Sequence, residues 1–139
     1  FGSEDAFFEK GTEKTIVEFR GWKILLQICY DLRFPCFSRN ALKNRYDIAL
    51  YVANWPEARI QPWLTLLQAR AIENQCYVIG VNRTGTDANG ILYPGESLAV
   101  DVYGRIRDQA TKKDTVLLVC DRPSLEEFKT KFPVLEDVD

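Results

Sequence analysis

The run Tyr46-Asp47-Ile48-Ala49-Leu50-Tyr51-Val52-Ala53-Asn54 constrains the fold more than any other stretch of the chain. A strand with one wet face alternates apolar and polar residues, so a nearly continuous apolar run is expected of a parallel strand buried on both faces. Parallel neighbours need crossovers, and the chain offers one on each side. Upstream, the apolar, β-branched-rich stretch Ile24-Leu25-Leu26-Gln27-Ile28 delivers Cys29 to a sharp turn, and Pro35 opens a helical pattern running over residues 35–44. Downstream, Trp55-Pro56 breaks the central strand, and Pro62 suits the first turn of a helix that continues through Leu64, Leu67 and Ala71 to about Gln75. Cys76-Tyr77-Val78-Ile79-Gly80-Val81-Asn82-Arg83 is then a third strand. The rhythm β-α-β-α-β predicts an α/β layered fold.

The flanking segments complete the organisation. Residues 1–14 read as a loop or lid around Phe7-Phe8, and Thr15-Ile16-Val17-Glu18-Phe19 as a strand that turns at Arg20-Gly21 into the strand ending at Cys29. Residues 84–95 are rich in Gly, Asn and Asp and read as a long loop near strand ends, where ligands commonly bind. Residues 97–102 and 105–109 flank Tyr103-Gly104 as a hairpin, residues 114–121 read as a strand, and Pro123 starts a short helix reaching about Lys131. Arg70 and Glu73 lie i,i+3 on the second helix, the spacing of a modest surface ion pair. No internal repeat or linker interrupts residues 1–139, which read as one domain.

Composition removes several function classes. With 46% hydrophobic and 12% aromatic residues, 139 residues suffice for a packed core. Eighteen Lys+Arg against twenty Asp+Glu give a net charge of -2 with no basic block, so nucleic acid is not an expected partner. No run is apolar enough to span a bilayer and no signal-peptide core is visible, and no Gly-rich dinucleotide fingerprint follows any strand. The four cysteines lack a C-x-x-C pair and suit reduced thiols, so a soluble cytoplasmic protein is expected. Histidine is absent altogether, which removes Cys–His and Ser–His pairs and the usual zinc sets; no metal site is expected. The chain also has no Met and begins at Phe1, as a processed or truncated polypeptide would.

Cys29 has two readings on local grounds. At the mouth of the helix starting at Pro35, unpaired backbone N–H groups would stabilise its thiolate and could hold an oxyanion. Alternatively it is a buried apolar thiol, since free cysteines are among the most buried residues.

Three segments together resemble the carbon–nitrogen hydrolase (nitrilase) superfamily, and within it the ω-amidase branch. The first is Ile28-Cys29-Tyr30-Asp31-Leu32-Arg33-Phe34-Pro35, similar to that branch's nucleophile motif. The second is Ala53-Asn54-Trp55-Pro56-Glu57-Ala58-Arg59, followed by Trp63, Leu66-Leu67, Ala69-Arg70-Ala71-Ile72-Glu73-Asn74-Gln75, Tyr77-Val78 and Gly80-Val81-Asn82-Arg83. The third is Tyr93-Pro94-Gly95-Glu96-Ser97 with Tyr103-Gly104 downstream.

The resemblance implies an α-β-β-α sandwich of two related halves, usually dimeric or otherwise homo-oligomeric, of which this chain would supply the C-terminal half. It implies a cofactor-free amidase acting on a small-molecule amide, with Cys29 as nucleophile, a glutamate as general base and a lysine stabilising the tetrahedral intermediate. Attack would release ammonia and leave a thioester that water hydrolyses, a scheme that needs no histidine. The base and lysine positions of the family fall upstream of Phe1. The chain would then need its missing N-terminal half, since it would otherwise leave apolar faces and a sheet edge open.

Glu4, in Gly2-Ser3-Glu4, matches the family's second active-site glutamate, and Tyr30 would supply an oxyanion-hole N–H. Arg33 would bind an anionic substrate group or brace the nucleophile turn, and Asn54 and Trp55 end a strand beside the expected pocket, although Trp55 also suits the core. Gln61 and Glu96 stand where close ω-amidase relatives would have histidine, and Cys36, Cys76 and Cys120 read as structural. The competing readings are a catalytically silent fragment or assembly module, and a redox-sensing thiol paired with Cys36.

Overall fold

The computed structural model describes residues 6–9, 11–111 and 114–137. Its strands are β1 (Thr15–Phe19), β2 (Trp22–Ile28), β3 (Ile48–Ala53), β4 (Tyr77–Asn82), β5 (Thr84–Thr86), β6 (Leu92–Pro94), β7 (Leu98–Val100) and β8 (Ile106–Gln109). The helices are α1 (Pro35–Ser38), α2 (Ile60–Asn74) and α3 (Arg122–Lys131). Six strands form one mixed sheet in the order β1-β2-β3-β4-β7-β8, and β5 and β6 form a separate hairpin. The centre, β2-β3-β4, is parallel as the β-α-β-α-β rhythm requires, and antiparallel pairs flank it. Arg20 and Gly21, at φ 49° and 78°, make the tight turn that joins β1 to β2.

One face of the sheet is sealed by α2. Leu25, Ala49, Tyr51 and Val78 pack against Trp63, Leu67 and Ala71, which recur at helical spacing on one side of α2. Gly80 permits the close approach: a Cβ there would strike the Leu67 and Trp63 side chains. The helix ends at Gln75, whose left-handed φ of 46° lets the Cys76 N–H close back on the Ala71 carbonyl at 3.3 Å.

The opposite face is covered at one end. Register sets Ile24, Ile48 and Tyr77 in one row, Leu26, Leu50 and Ile79 in the next, and Ile28, Val52 and Val81 in the last. Leu125 and Phe128 of α3 close over the first row, and α3 is anchored by Lys129 and Arg122 on the buried Asp47 carboxylate, at 3.2 and 3.4 Å. The last row is open, with Ile28 68% and Val52 46% exposed. The apolar run at 46–54 is therefore two-sided as expected, but the described residues cover only one face completely.

Four local expectations are corrected. The helix over residues 35–44 is a single turn, α1, followed by a separate 3-10 turn at Leu42–Asn44. Asn40 breaks it: its side chain donates to the carbonyls of Tyr46 and Asn74 and accepts the Tyr46 N–H, at 2.9–3.1 Å. Those bonds replace helical backbone bonds with a buried side-chain bridge. The loop at 84–95 contains the β5–β6 hairpin, closed by Asp87 Oδ1 accepting the N–H groups of Asn89 and Ile91. Residues 114–121 join neither sheet; Leu118 and Cys120 lean on the α3-side cluster while Leu117 and Val119 are exposed. Finally, Arg70 and Glu73 are no surface pair, because Arg70 is 3% exposed. No helix among the described residues is long and apolar enough to cross a membrane.

Candidate active site

The carboxyl ends of the parallel strands bring two expected residues together, Cys29 after β2 and Asn54 after β3, with Asn82 ending β4 beside them. Cys29 has a left-handed φ of 42°, unusual for a residue with a Cβ and a local strain of about 1 kcal/mol or more. It opens a 3-10 turn, Cys29–Arg33. Asp31 closes that turn at both ends, its carboxylate accepting the Ile28 N–H at 2.9 Å and its carbonyl the Phe34 N–H at 3.0 Å. The helix expected over residues 35–44 starts only as the four-residue turn α1, set behind the five-residue 3-10 turn at Cys29, and so short a helix offers little of the dipole invoked for it.

Cys29 is half-buried against the α2-side core, with Sγ 3.8 Å from the Asn54 carbonyl. It lies between two clefts. The first, about 440 Å³, is lined by Cys29, Tyr30, Arg33, Asn54, Trp55, Pro56, Arg59, Ile91 and Tyr93. The second is bounded by Ile28, Asp31, Val52 and Ala53 and continues onto the open sheet face.

Trp55 is held rigidly beside the thiol. Its backbone N–H donates to Asn82 Oδ1 at 2.7 Å, and Asn82 Nδ2 donates back to the Trp55 carbonyl at 3.0 Å and to the Gly95 carbonyl at 2.7 Å. Its indole N–H donates to the Arg59 carbonyl at 2.6 Å, and its ring meets Trp63 at 5.4 Å. The Arg33 guanidinium stacks over the Trp55 ring at 5.1 Å, placing a cation on the cleft wall. Trp55 is thus both a core aromatic and a wall of the cleft, so its two readings do not compete. Tyr30 packs edge-on to Phe34 at 5.1 Å.

Five of the expected site residues, Cys29, Tyr30, Arg33, Asn54 and Trp55, come together here. Glu4 lies outside the described residues. Gln61 is exposed on the first turn of α2, and Glu96 bonds to Gln109 at 2.5 Å; neither lines the clefts beside Cys29. Sequence reasoning missed Arg59, Ile91 and Tyr93. Arg59 stood inside a quoted motif, and the last two lie on the hairpin read as a ligand-side loop. Tyr93 is fixed there by donating to Asp87 at 3.0 Å and by the Arg83 guanidinium at 4.7 Å from its ring. The backbone N–H of Ile91 and the Tyr93 hydroxyl hold the Asp87 carboxyl below its ordinary value.

The other thiols differ from one another. Burial pushes Cys76 well above the ordinary thiol range and Cys120 up to about 11, as structural thiols should be, whereas Cys36 is exposed on α1.

The sequence model of the carbon-nitrogen hydrolase family matches residues 3–130. Omega-amidase YafV of Yersinia enterocolitica is 50% identical over 131 residues, covering 93% of this chain and 50% of that protein. The 2-oxoglutaramate amidase of Paenarthrobacter nicotinovorans is 39% identical over 139 residues, covering 96% of this chain and 47% of that one. Among solved structures, XC1258 of Xanthomonas campestris, a CN-hydrolase superfamily protein with an arsenic adduct in its active site, superposes with a TM-score of 0.91 at 41% identity. That match covers 99% of this chain and 55% of the other. The chain spans about half the length of the curated relatives it matches.

Proposed function

Because this chain belongs to the carbon-nitrogen hydrolase family, we propose that the protein it is part of hydrolyses a small amide with Cys29 as nucleophile. The observation that carries this reading is the strained Cys29 turn opening onto a cleft of amide-molecule size, with Tyr30 next in the chain and Asn54 and Trp55 on its wall. The Cys29 thiolate adds to the amide carbonyl, and the oxyanion is held by the Tyr30 backbone N–H. Collapse expels ammonia, which takes up the thiol proton, and leaves a Cys29 thioester. Water then attacks the thioester, giving the free acid and restoring the thiol.

Arg33 and Arg59 on the cleft wall favour an amide that also carries a carboxylate. The names of the relatives, ω-amidase and 2-oxoglutaramate amidase, agree with such a substrate and favour a hydrolase over a silent assembly module. The general-base glutamate and the lysine belong, in this reading, to a further portion of the protein that forms the second half of an α-β-β-α sandwich. The open row Ile28, Val52 and Val81 and the exposed Leu117 and Val119 of the segment at 114–121, which joins neither sheet, support it, since both are surfaces a second layer would cover. The second cleft runs from Cys29 onto that open face, which gives such groups a route to the thiol. The four free cysteines are consistent with a reducing, cytoplasmic setting.

Ammonia release from ω-amides of short dicarboxylic acids, by the full-length protein and its Cys29→Ala variant, tests the reading. Loss of at least about a thousandfold in kcat is expected for the variant. Equal rates from the two would refute it.

A further inference from the structure

Arg70 is a buried charge that the proposed chemistry does not use. It sits on α2 with 3% exposure; Nη1 pairs with Glu73 Oε1 at 2.9 Å, and Nη2 donates to the Leu32 carbonyl at 2.7 Å. Leu32 is fully buried and lies in the Cys29–Arg33 turn. Stability alone accounts poorly for such a group, because a buried ion pair is often matched or exceeded by apolar side chains of similar volume. What an apolar side chain cannot do is hold one backbone carbonyl in a fixed direction. The turn needs such a hold: it begins with a left-handed residue, and Asp31 closes it from within but does not tie it to the rest of the fold. The same helix reaches the next segment too, as Asn74 accepts the Asn40 N–H at 2.8 Å, so α2 grips the chain on both sides of α1.

We propose that Arg70 is a positioning residue for the Cys29 thiol, fixing the Cys29–Arg33 turn to α2 through the Leu32 carbonyl. The proposal rests on the reading of Cys29 as nucleophile. The guanidinium is suited to the task because its fork serves Glu73 and Leu32 at once. A lysine ammonium, a single point of donation, cannot span both partners in the same geometry.

The test uses the full-length protein with Arg70→Lys and Glu73→Gln. Each is measured for kcat and KM on the amide, for the iodoacetamide alkylation rate of Cys29 against pH, and for unfolding midpoint. Arg70→Lys is expected to lower kcat by about tenfold to a hundredfold with KM held within about threefold, as a small misplacement of a reacting atom does. It should also slow Cys29 alkylation and change its pH profile. Glu73→Gln, which leaves the bond to Leu32 in place, should stay within about threefold of the parent on both readouts. Should Arg70→Lys not fold, Arg70→Gln combined with Glu73→Gln leaves no buried charge unpaired and carries the same expectations as Arg70→Lys. An unchanged kcat and alkylation profile in the folded Arg70 variant would overturn the proposal. So would losses that track the unfolding midpoint equally in both single variants. Alkylation reads Cys29 without any amide, so it separates failure of this proposal from failure of the hydrolysis reading, which the Cys29→Ala variant tests.

Discussion

The two faces of the central sheet are built from the same three strands and nearly the same residue types, yet they meet different surroundings. Towards α2, Leu25, Ala49, Tyr51 and Val78 are sealed by Trp63, Leu67 and Ala71. On the other side burial fades along the strands, from Ile48 under α3, through Leu50, to the open Val52. Apolar character therefore reports that a face is meant to be covered without reporting what covers it. Cys29 stands at the rim between the two regimes. Its turn is gripped from the α2 side by Arg70, while one of its two clefts runs onto the uncovered side. The sealed face holds the turn that carries the thiol, and the open face leaves one side of it accessible.

The contrast can be broken by substitution in the full-length protein. On the sealed face, Trp63→Ala should remove about 3–5 kcal/mol of stability, read as a fall in the urea midpoint. On the open face, Val52→Asp discriminates sharply. Covered by a second layer, the new charge should destabilise by about 3 kcal/mol or more, whereas a solvent-facing position should respond by about 0.5 kcal/mol or less. A small effect would mean that the two faces stay different in the finished protein. Asn40→Ala tests the bridge between α2 and the segment after α1. It strands buried groups of Tyr46 and Asn74, and a loss of about 1–3 kcal/mol is expected.

A further effect concerns pH. Burial raises Cys120 from 9.0 to about 11, so the folded state holds a proton that the unfolded chain releases earlier. Its contribution to stability is complete below pH 9 and is lost as pH rises from 9 to 11, which thermal melts across that window should register. Cys120 should accordingly label slowly with iodoacetamide at pH 8, and the exposed Cys36 faster.

The parallel centre was legible because continuous apolar runs and helical spacing are dictated locally, and the thiol's place after β2 followed from them. The gathering of Arg33, Asn54 and Trp55 at one cleft with Cys29 was legible through motif resemblance. Other features depend on distant partners. The break at Asn40 rests on bonds to Tyr46 and Asn74, which no helical periodicity encodes. The β5–β6 hairpin hides in Gly- and Asn-rich sequence because its three-residue strands are set by the Asp87 turn. Residues 114–121 alternate like a strand but find no ladder among the described residues. Arg70 at i,i+3 from Glu73 looks like a surface pair until the turn it holds is seen in three dimensions.

The proposed hydrolysis passes through a covalent intermediate at Cys29, which can be observed directly. Acid quenching of the full-length protein during turnover of an ω-amide, followed by peptide mass spectrometry, should find the peptide carrying Cys29 heavier by the acyl group, and no such peptide in Cys29→Ala. Sustained ammonia release by Cys29→Ala, or an acyl group found on another residue of the active protein, would contradict it.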